Sequence, residues 1–222
     1  MKIRIQFEKL GTVRFTSHKD VVRIFERAFA AAGVPVSWSE GYHPHMRMSF
    51  GPPLRTGWES HEEYMDITLE GPMSDFVERV NEKLPEGLLV KRVVTIDDRT
   101  PKLASDMSAV ALDVIVVADD AAADAVTVSS RISNRFLANN QAGTEPRVRE
   151  ADVVESSDAL RIRYTSTMSN GRIVTPEDMV SAAIGDPESF RVPIKVVRLA
   201  QFVVRDDRLL SPLDEGVVQV NI

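Results

Sequence analysis

The sequence predicts an α+β protein built from two tandem βαββαβ domains, the ferredoxin-like plan. Three observations carry this. Short runs alternate apolar and polar residues, as half-buried strands do. Longer stretches place apolar residues at helical spacing. The order strand, helix, strand, strand, helix, strand spans residues 1–96 and recurs over 107–205, without any repeat of the sequence itself. The expected organisation is a first domain over 1–96 with a His- and Pro-rich basic loop at 39–60, a linker at 97–106, a second domain over 107–205 and a C-terminal tail at 206–222.

Each element has a local reason. Lys2 to Phe7 puts Ile3, Ile5 and Phe7 on one strand face, and Val13 and Phe15 alternate well enough to continue or bulge that strand. Ser17-His18-Lys19-Asp20 is a helix start, with Ser17 as cap and Asp20 placed to reciprocate. Val21, Val22, Phe25, Ala28, Phe29 and Ala32 form the apolar stripe, and Gly33 supplies the stop. Val34 to Trp38 is a short extended run, and Tyr64 to Leu69 alternates as a strand. Ser74 caps a helix that turns Phe76, Val77, Val80 and Leu84 inward, and Leu88 to Ile96 is the last strand of this half. Ile3, Ile5, Phe25, Phe29, Tyr64 and Ile67 are the expected first core.

In the second half, Ala109 to Val117 is a strand, and Asp119 or Asp120 caps a helix reaching about Leu137. Arg147 to Val154 and Leu160 to Thr167 are strands around Ser156-Ser157-Asp158. Thr175-Pro176-Glu177-Asp178 starts a helix that Gly185 ends, and Val192 to Val204 is the final strand.

Composition narrows the function. The chain has 222 residues, 43% hydrophobic and 27% charged, as soluble domains do. No apolar run approaches the ~18–20 residues of a membrane helix, and the N-terminus alternates charge with apolar residues unlike a signal peptide, so a cytoplasmic protein without membrane association is expected. Cysteine is absent, which excludes disulfides, thiolate zinc sites, a cysteine nucleophile and a cysteine-held iron–sulfur cluster. The net charge of -6 is uneven. Residues 1–57 carry nine Lys/Arg and four acids, net +5, which leaves 18 bases and 29 acids, net -11, for the remainder. A cationic segment on an acidic body suits a local anionic partner, unless acids from elsewhere in the fold neutralise it.

The densest chemistry lies in Glu40-Gly41-Tyr42-His43-Pro44-His45-Met46-Arg47-Met48-Ser49-Phe50-Gly51-Pro52-Pro53-Leu54. Tyr42 offers a stacking face, Arg47 a cation, and His43 and His45 offer donors, a set that suits a phosphate or a base. Tyr42, Met48 and Phe50 equally suit packing on a sheet. On the preceding helix Lys19, Arg23 and Arg27 recur every four residues and line one edge. Arg14, Ser17, His18, His43, His45, Arg47 and Ser49 are expected around one pocket for an anionic substrate. His18, Asp20, His43, His45, His61, Glu62 and Glu63 include nitrogen and oxygen donors, but none shows helical metal spacing, so no metal and no cofactor is assigned. There is no nucleophile elbow, P-loop or dinucleotide fingerprint.

Arg14 to Asp20, Arg23, Glu26-Arg27-Ala28, Gly33-Val34-Pro35, Ser39 to His45, Ser49 to Leu54 with Gly57, and Glu63-Tyr64-Met65-Asp66 together resemble the radical-SAM-linked family of bacterial proteins of unknown function. The resemblance is dense over residues 1–70. It fades afterwards, where Arg147, Arg149 and Asp152 echo it faintly. Met46 departs from the family's usual proline. The resemblance implies a cobalamin-type radical SAM protein as partner. A chain without cysteine cannot itself hold that enzyme's cluster, so a companion role is expected, with no settled reaction. The element order also resembles tandem ferredoxin-like CRISPR repeat-processing ribonucleases, without their C-terminal glycine-rich loop.

Three functions follow as expectations. The first is a non-catalytic accessory or substrate-presenting protein that binds RNA or another anion beside a radical SAM partner, through Arg14, Ser17, His18, Lys19, Arg23, Arg27, Tyr42, His43, His45, Arg47 and Ser49. The second is a stand-alone ribonuclease using His18, His43 or His45 as acid and base. The third is a protein–protein interaction module.

Overall fold

The computed structural model describes residues 1–117, 125–137, 146–156, 159–184 and 194–214. It is a mixed α/β protein whose strands pair mostly antiparallel, divided into two compact units: 1–107 with 202–222, and 108–201.

In the first unit, β1 (Lys2–Lys9) leads through a 3-10 turn at Gly11–Phe15 into α1 (His18–Ala32). β2 (Met48–Phe50), β3 (Glu59–Thr68), α2 (Phe76–Asn81), β4 (Leu88–Ile96) and the short α3 (Leu103–Asp106) follow. The strand order is β4-β1-β3, with β2 on the far side of β3. Register places Ile3 opposite Ile67, Ile5 opposite Met65 and Phe7 opposite Glu63. These residues face α1 and α2, where Val21, Phe25, Phe29, Phe76 and Val80 complete the core. Ser17 and Asp20 form a reciprocal capping box, and Gly33 closes α1 at φ 69°, where a side chain is strained.

The structure departs from the sequence reading at several points. Val13 and Phe15 belong to the 3-10 turn, because Gly11 at φ 64° swings the chain out of the sheet. Val34 to Trp38 makes only isolated bridges, Val36 to Leu69 and Trp38 to Met46; Pro35 has no N–H to give a ladder. The N-cap of α2 is Asp75, in the left-handed region without a side-chain bond, so Ser74 lies one residue outside. Tyr64 is buried, but on the other face of β3 from the core, beside Gln6 and Glu62. The stretch 97–107 includes α3, with Leu103 and Met107 buried. Past 205, Asp206 and Asp207 at φ 48° and 61° turn the chain into β9 (Arg208–Leu210), which pairs with the end of β8 (Ile194–Arg205).

The second face of the first unit's sheet is polar and buried. Arg4 is fully buried, and its Nε and Nη2 donate to the two carboxylate oxygens of Asp66 at 2.8 and 3.1 Å. Its Nη1 donates to the Pro212 carbonyl at 2.9 Å, and Nη2 approaches the Pro101 carbonyl at 3.4 Å. Nearby, Gln6 and Glu62 engage the Tyr64 hydroxyl, whose ionisation burial pushes well above the ordinary phenol range. At the end of β1 the Leu10 amide donates to the Gly87 carbonyl. Gly87 has φ 92°, and a Cβ there would come within 2.3 Å of the Leu10 carbonyl oxygen. Gly87→Ala is therefore expected to cost about 1–3 kcal/mol from backbone strain alone, more with the clash, read as a lowered urea midpoint. An unchanged midpoint would mean that this turn is not formed as described.

The second unit contains β5 (Ala109–Val117), α4 (Ala125–Ile132) continuing in a π turn at Ser133–Leu137, β6 (Val148–Ser156), β7 (Ala159–Thr167), α5 (Pro176–Ile184) and the start of β8. Its strand order is β8-β5-β7-β6. Leu112, Val114, Ile162, Tyr164, Met179 and Ala183 are buried. Thr175 and Asp178 repeat the reciprocal cap seen at α1. On β5, buried Asp113 faces Arg161 at 3.2 Å and Arg163 at 3.7 Å. The expected cap at Asp119 or Asp120, the turn at Ser157-Asp158 and the stop at Gly185 lie outside the described residues. Among the described residues no helix is long and apolar enough to cross a membrane.

Candidate functional site

Apart from Arg55, which lies over the Trp58 ring, the cations of the first quarter divide into two sets. Those near the sheet meet acids of β3. Lys2 and Arg4 face Asp66 at 3.6 and 2.8 Å, and Arg14 holds Glu59 at 3.0 Å. Lys9 is buried, donates to the Thr16 carbonyl at 2.8 Å and feels the charge of Glu63; burial draws its ammonium below the ordinary lysine range, and Glu63 then Asp20 oppose that. The second set stays in solvent. Lys19, Arg23, Arg27 and Arg47 are exposed, and no carboxylate among the described residues forms an ion pair with them. The first three share the outer edge of α1, where the Arg27 Nε donates to the Arg23 carbonyl at 3.2 Å. Asp20 lies on the same helix, its carboxyl held below the usual range first by the Ser17 hydrogen bonds and secondarily by Arg23 and Arg27.

Residues 37–47 form a narrow hairpin. Arg47 N donates to the Ser37 carbonyl at 2.8 Å, Ser39 N donates to the His45 carbonyl at 2.8 Å, and Trp38 bridges Met46. Met46 is buried and anchors the hairpin to the core. Gly41, at φ 123°, allows the tip to turn. Tyr42, His43 and His45 are exposed there. The His45 ring is held through Nδ1 by Ser39 Oγ at 2.8 Å, which leaves Nε2 for a ligand. Ser49, in β2, sits opposite Asp66 in the β3 register.

His18 stands elsewhere, at the start of α1 with its ring edge-on to Phe50, centroids 5.2 Å apart. It borders a small pocket shared with Phe7, Lys9, Pro53, Leu54 and Glu63. Three stretches that carry the family resemblance meet there: Arg14 to Asp20 through His18, Ser49 to Leu54 through Phe50, Pro53 and Leu54, and Glu63 to Asp66 through Glu63 and Tyr64. Its interior is about 20 Å³, the size of one water site, which is too small for a nucleotide. Arg14, Ser17, His43, His45, Arg47 and Ser49 are not among its lining residues. Ser17 is occupied as the helix cap, and Arg14 stacks on exposed Phe15 at 4.6 Å while paired with Glu59. Among the described residues no three of His, Asp and Glu gather as a metal would require.

The sequence reading does not bring Lys9 beside Glu63, nor Trp38 onto the hairpin. Lys9 and Glu63 share the inward parity of their strands, so alternation extended two residues past Phe7 exposes the first of them. Trp38 is half exposed, and its bridge to Met46 puts it on the same hairpin as Tyr42.

Fold and surface together define a mixed α/β protein that presents a cationic helix edge and an aromatic, histidine-bearing hairpin. Residues 2–170 match the model of DUF2344, described as an uncharacterised protein conserved in bacteria. The chain belongs to this family. Curated proteins include no match. Among solved structures, an unknown protein from Galdieria sulphuraria is 12% identical, with 89% of this chain and 97% of that one covered, at a TM-score of 0.25. A candidate glycine cleavage system transcriptional repressor is 10% identical, with 88% and 95% covered, at a TM-score of 0.24. Similarities of this size support no structural or functional argument.

Proposed function

We propose that this protein is a non-catalytic, RNA- or anion-binding accessory protein that presents its ligand to a radical SAM partner. The observation that supports the reading is the selective pairing of charge. Acids of β3 neutralise the inner cations, while Lys19, Arg23 and Arg27 stay exposed along one helix edge. Phosphates favour such an edge because each contact releases counterions. The radical SAM partner rests on the family resemblance over residues 1–70, and the proposed scaffold is two ferredoxin-like domains, in keeping with the orders β4-β1-β3-β2 and β8-β5-β7-β6.

Binding to a short single-stranded RNA is expected to weaken steeply with salt. Replacing Lys19, Arg23 and Arg27 together by alanine should reduce the slope of log affinity against log salt by about 2, at ~0.7 per phosphate contact. Affinity independent of salt would sink the reading. The ribonuclease alternative draws on one observation, His18 bordering a pocket with buried Lys9 and Glu63. It gains if purified protein hydrolyses RNA and His18→Ala abolishes that activity.

A further inference from the structure

We infer that the hairpin of residues 37–47 is a stacking platform for unpaired nucleobases, so that the ligand class is single-stranded rather than duplex RNA; the inference rests on the RNA-binding reading above. The chain places two large aromatic side chains where burial uses one only in part and the other not at all. Tyr42 is wholly exposed, and Trp38 is 52% exposed. Neither ring packs on another ring or on a cation among the described residues, whereas Phe15 and Trp58 are each covered by an arginine. An exposed ring offers a π-face to any base, and such stacking tolerates sequence. The hairpin also carries Arg47, His43 and His45 against a single carboxylate, Glu40. These donors beside two exposed rings suit a nucleic acid better than an acidic peptide, because a nucleic acid supplies both flat faces and phosphates. Duplex RNA hides its bases within the stack and presents a shallow groove, so it cannot use these rings.

The backbone that carries the rings is tied between its two legs. Its legs are tied by the Arg47–Ser37 and Ser39–His45 backbone hydrogen bonds, and Ser39 Oγ fixes the His45 ring and accepts from the His45 amide at 3.1 Å. Met46 pins the returning leg to the core. A base stacked on Tyr42 or Trp38 therefore orders little additional backbone.

The chain has two tryptophans, so Trp58→Phe leaves Trp38 as the sole reporter. Short oligouridine is expected to quench Trp38 emission in that background. Measured by anisotropy of labelled oligouridine, Tyr42→Ala and Trp38→Ala should each weaken binding about tenfold. Tyr42→Phe should retain affinity, because the ring remains. A duplex RNA of equal length should bind more weakly than the single strand. Unchanged Trp38 emission with RNA bound, or wild-type affinity in Tyr42→Ala, would overturn the platform. If the Lys19/Arg23/Arg27 variant still lost affinity, the anion-binding reading would survive that result. Absence of RNA binding even at low salt would remove both. Should Tyr42→Ala lose a protein partner while its RNA affinity is intact, the hairpin is a protein contact and the inference falls.

Discussion

Phe25→Ala is expected to lower the stability of the protein by about 3–5 kcal/mol, the usual cost of emptying a buried phenylalanine site. Phe25 is fully buried on α1. It packs edge-on against Phe7 at 4.9 Å between centroids, against Phe29 at 5.6 Å and against Phe50 at 6.4 Å. Removing the ring strips a partner from β1, from the next turn of α1 and from β2 at once, and that site cannot close without moving all three. Against a typical total of about 5–15 kcal/mol, this loss is large. A urea transition followed by circular dichroism reads it. Phe25→Leu should cost clearly less, because most of the volume remains. If the midpoint of Phe25→Ala stays where it was, the register of α1 on the sheet is wrong.

Removing one side of the Arg4–Asp66 pair should be as severe. Both side chains are buried, and the guanidinium meets the carboxylate through two nitrogens while a further N–H reaches the Pro212 carbonyl. Arg4→Ala leaves a buried carboxylate whose remaining cation among the described residues is Lys2, 3.6 Å away and itself partly in solvent. Breaking such a pair from one side costs about 3–5 kcal/mol, mostly the penalty of the charge left behind. Asp66→Asn should be comparably damaging. The double replacement Arg4→Met with Asp66→Leu removes both charges together and should recover much of the loss, since apolar substitutes of similar volume are often neutral or better. A double variant no more stable than Arg4→Ala would show that the carbonyl contacts, and not the ion pair, hold this face together.

The parts of the fold that are legible in the sequence are those decided by neighbours along the chain. Period-two alternation puts Ile3, Ile5 and Phe7 on one face of β1, and the i, i+4 rhythm of Phe25 and Phe29 faces α1 inward. Ser17 and Asp20 announce a helix start that the structure forms as a reciprocal cap. Tyr64 is harder to place because β3 is buried on both faces. Its one-residue offset from Met65 sends it to the polar side, and only segments distant in sequence, around Pro101 and Pro212, make that side an interior. The cationic edge reads directly from the spacing of Lys19, Arg23 and Arg27. Which other cations meet acids does not, since the pairings of Lys2, Arg4 and Arg14 span 45 to 64 residues of chain. A bridge as isolated as Trp38 to Met46 likewise leaves no periodic trace.

The return of residues 202–214 to the first unit has a consequence for how the chain is made. A ribosome that has finished β4 and α3 has released nearly all of the first unit, but not the Pro212 carbonyl that Arg4 engages. At about 5–20 residues per second, the intervening stretch of roughly a hundred residues takes on the order of 5–20 seconds to translate. For that interval the nascent first unit holds a guanidinium and a carboxylate beneath an unfinished cover. The polar face of its sheet closes last, however early the aromatic face has packed.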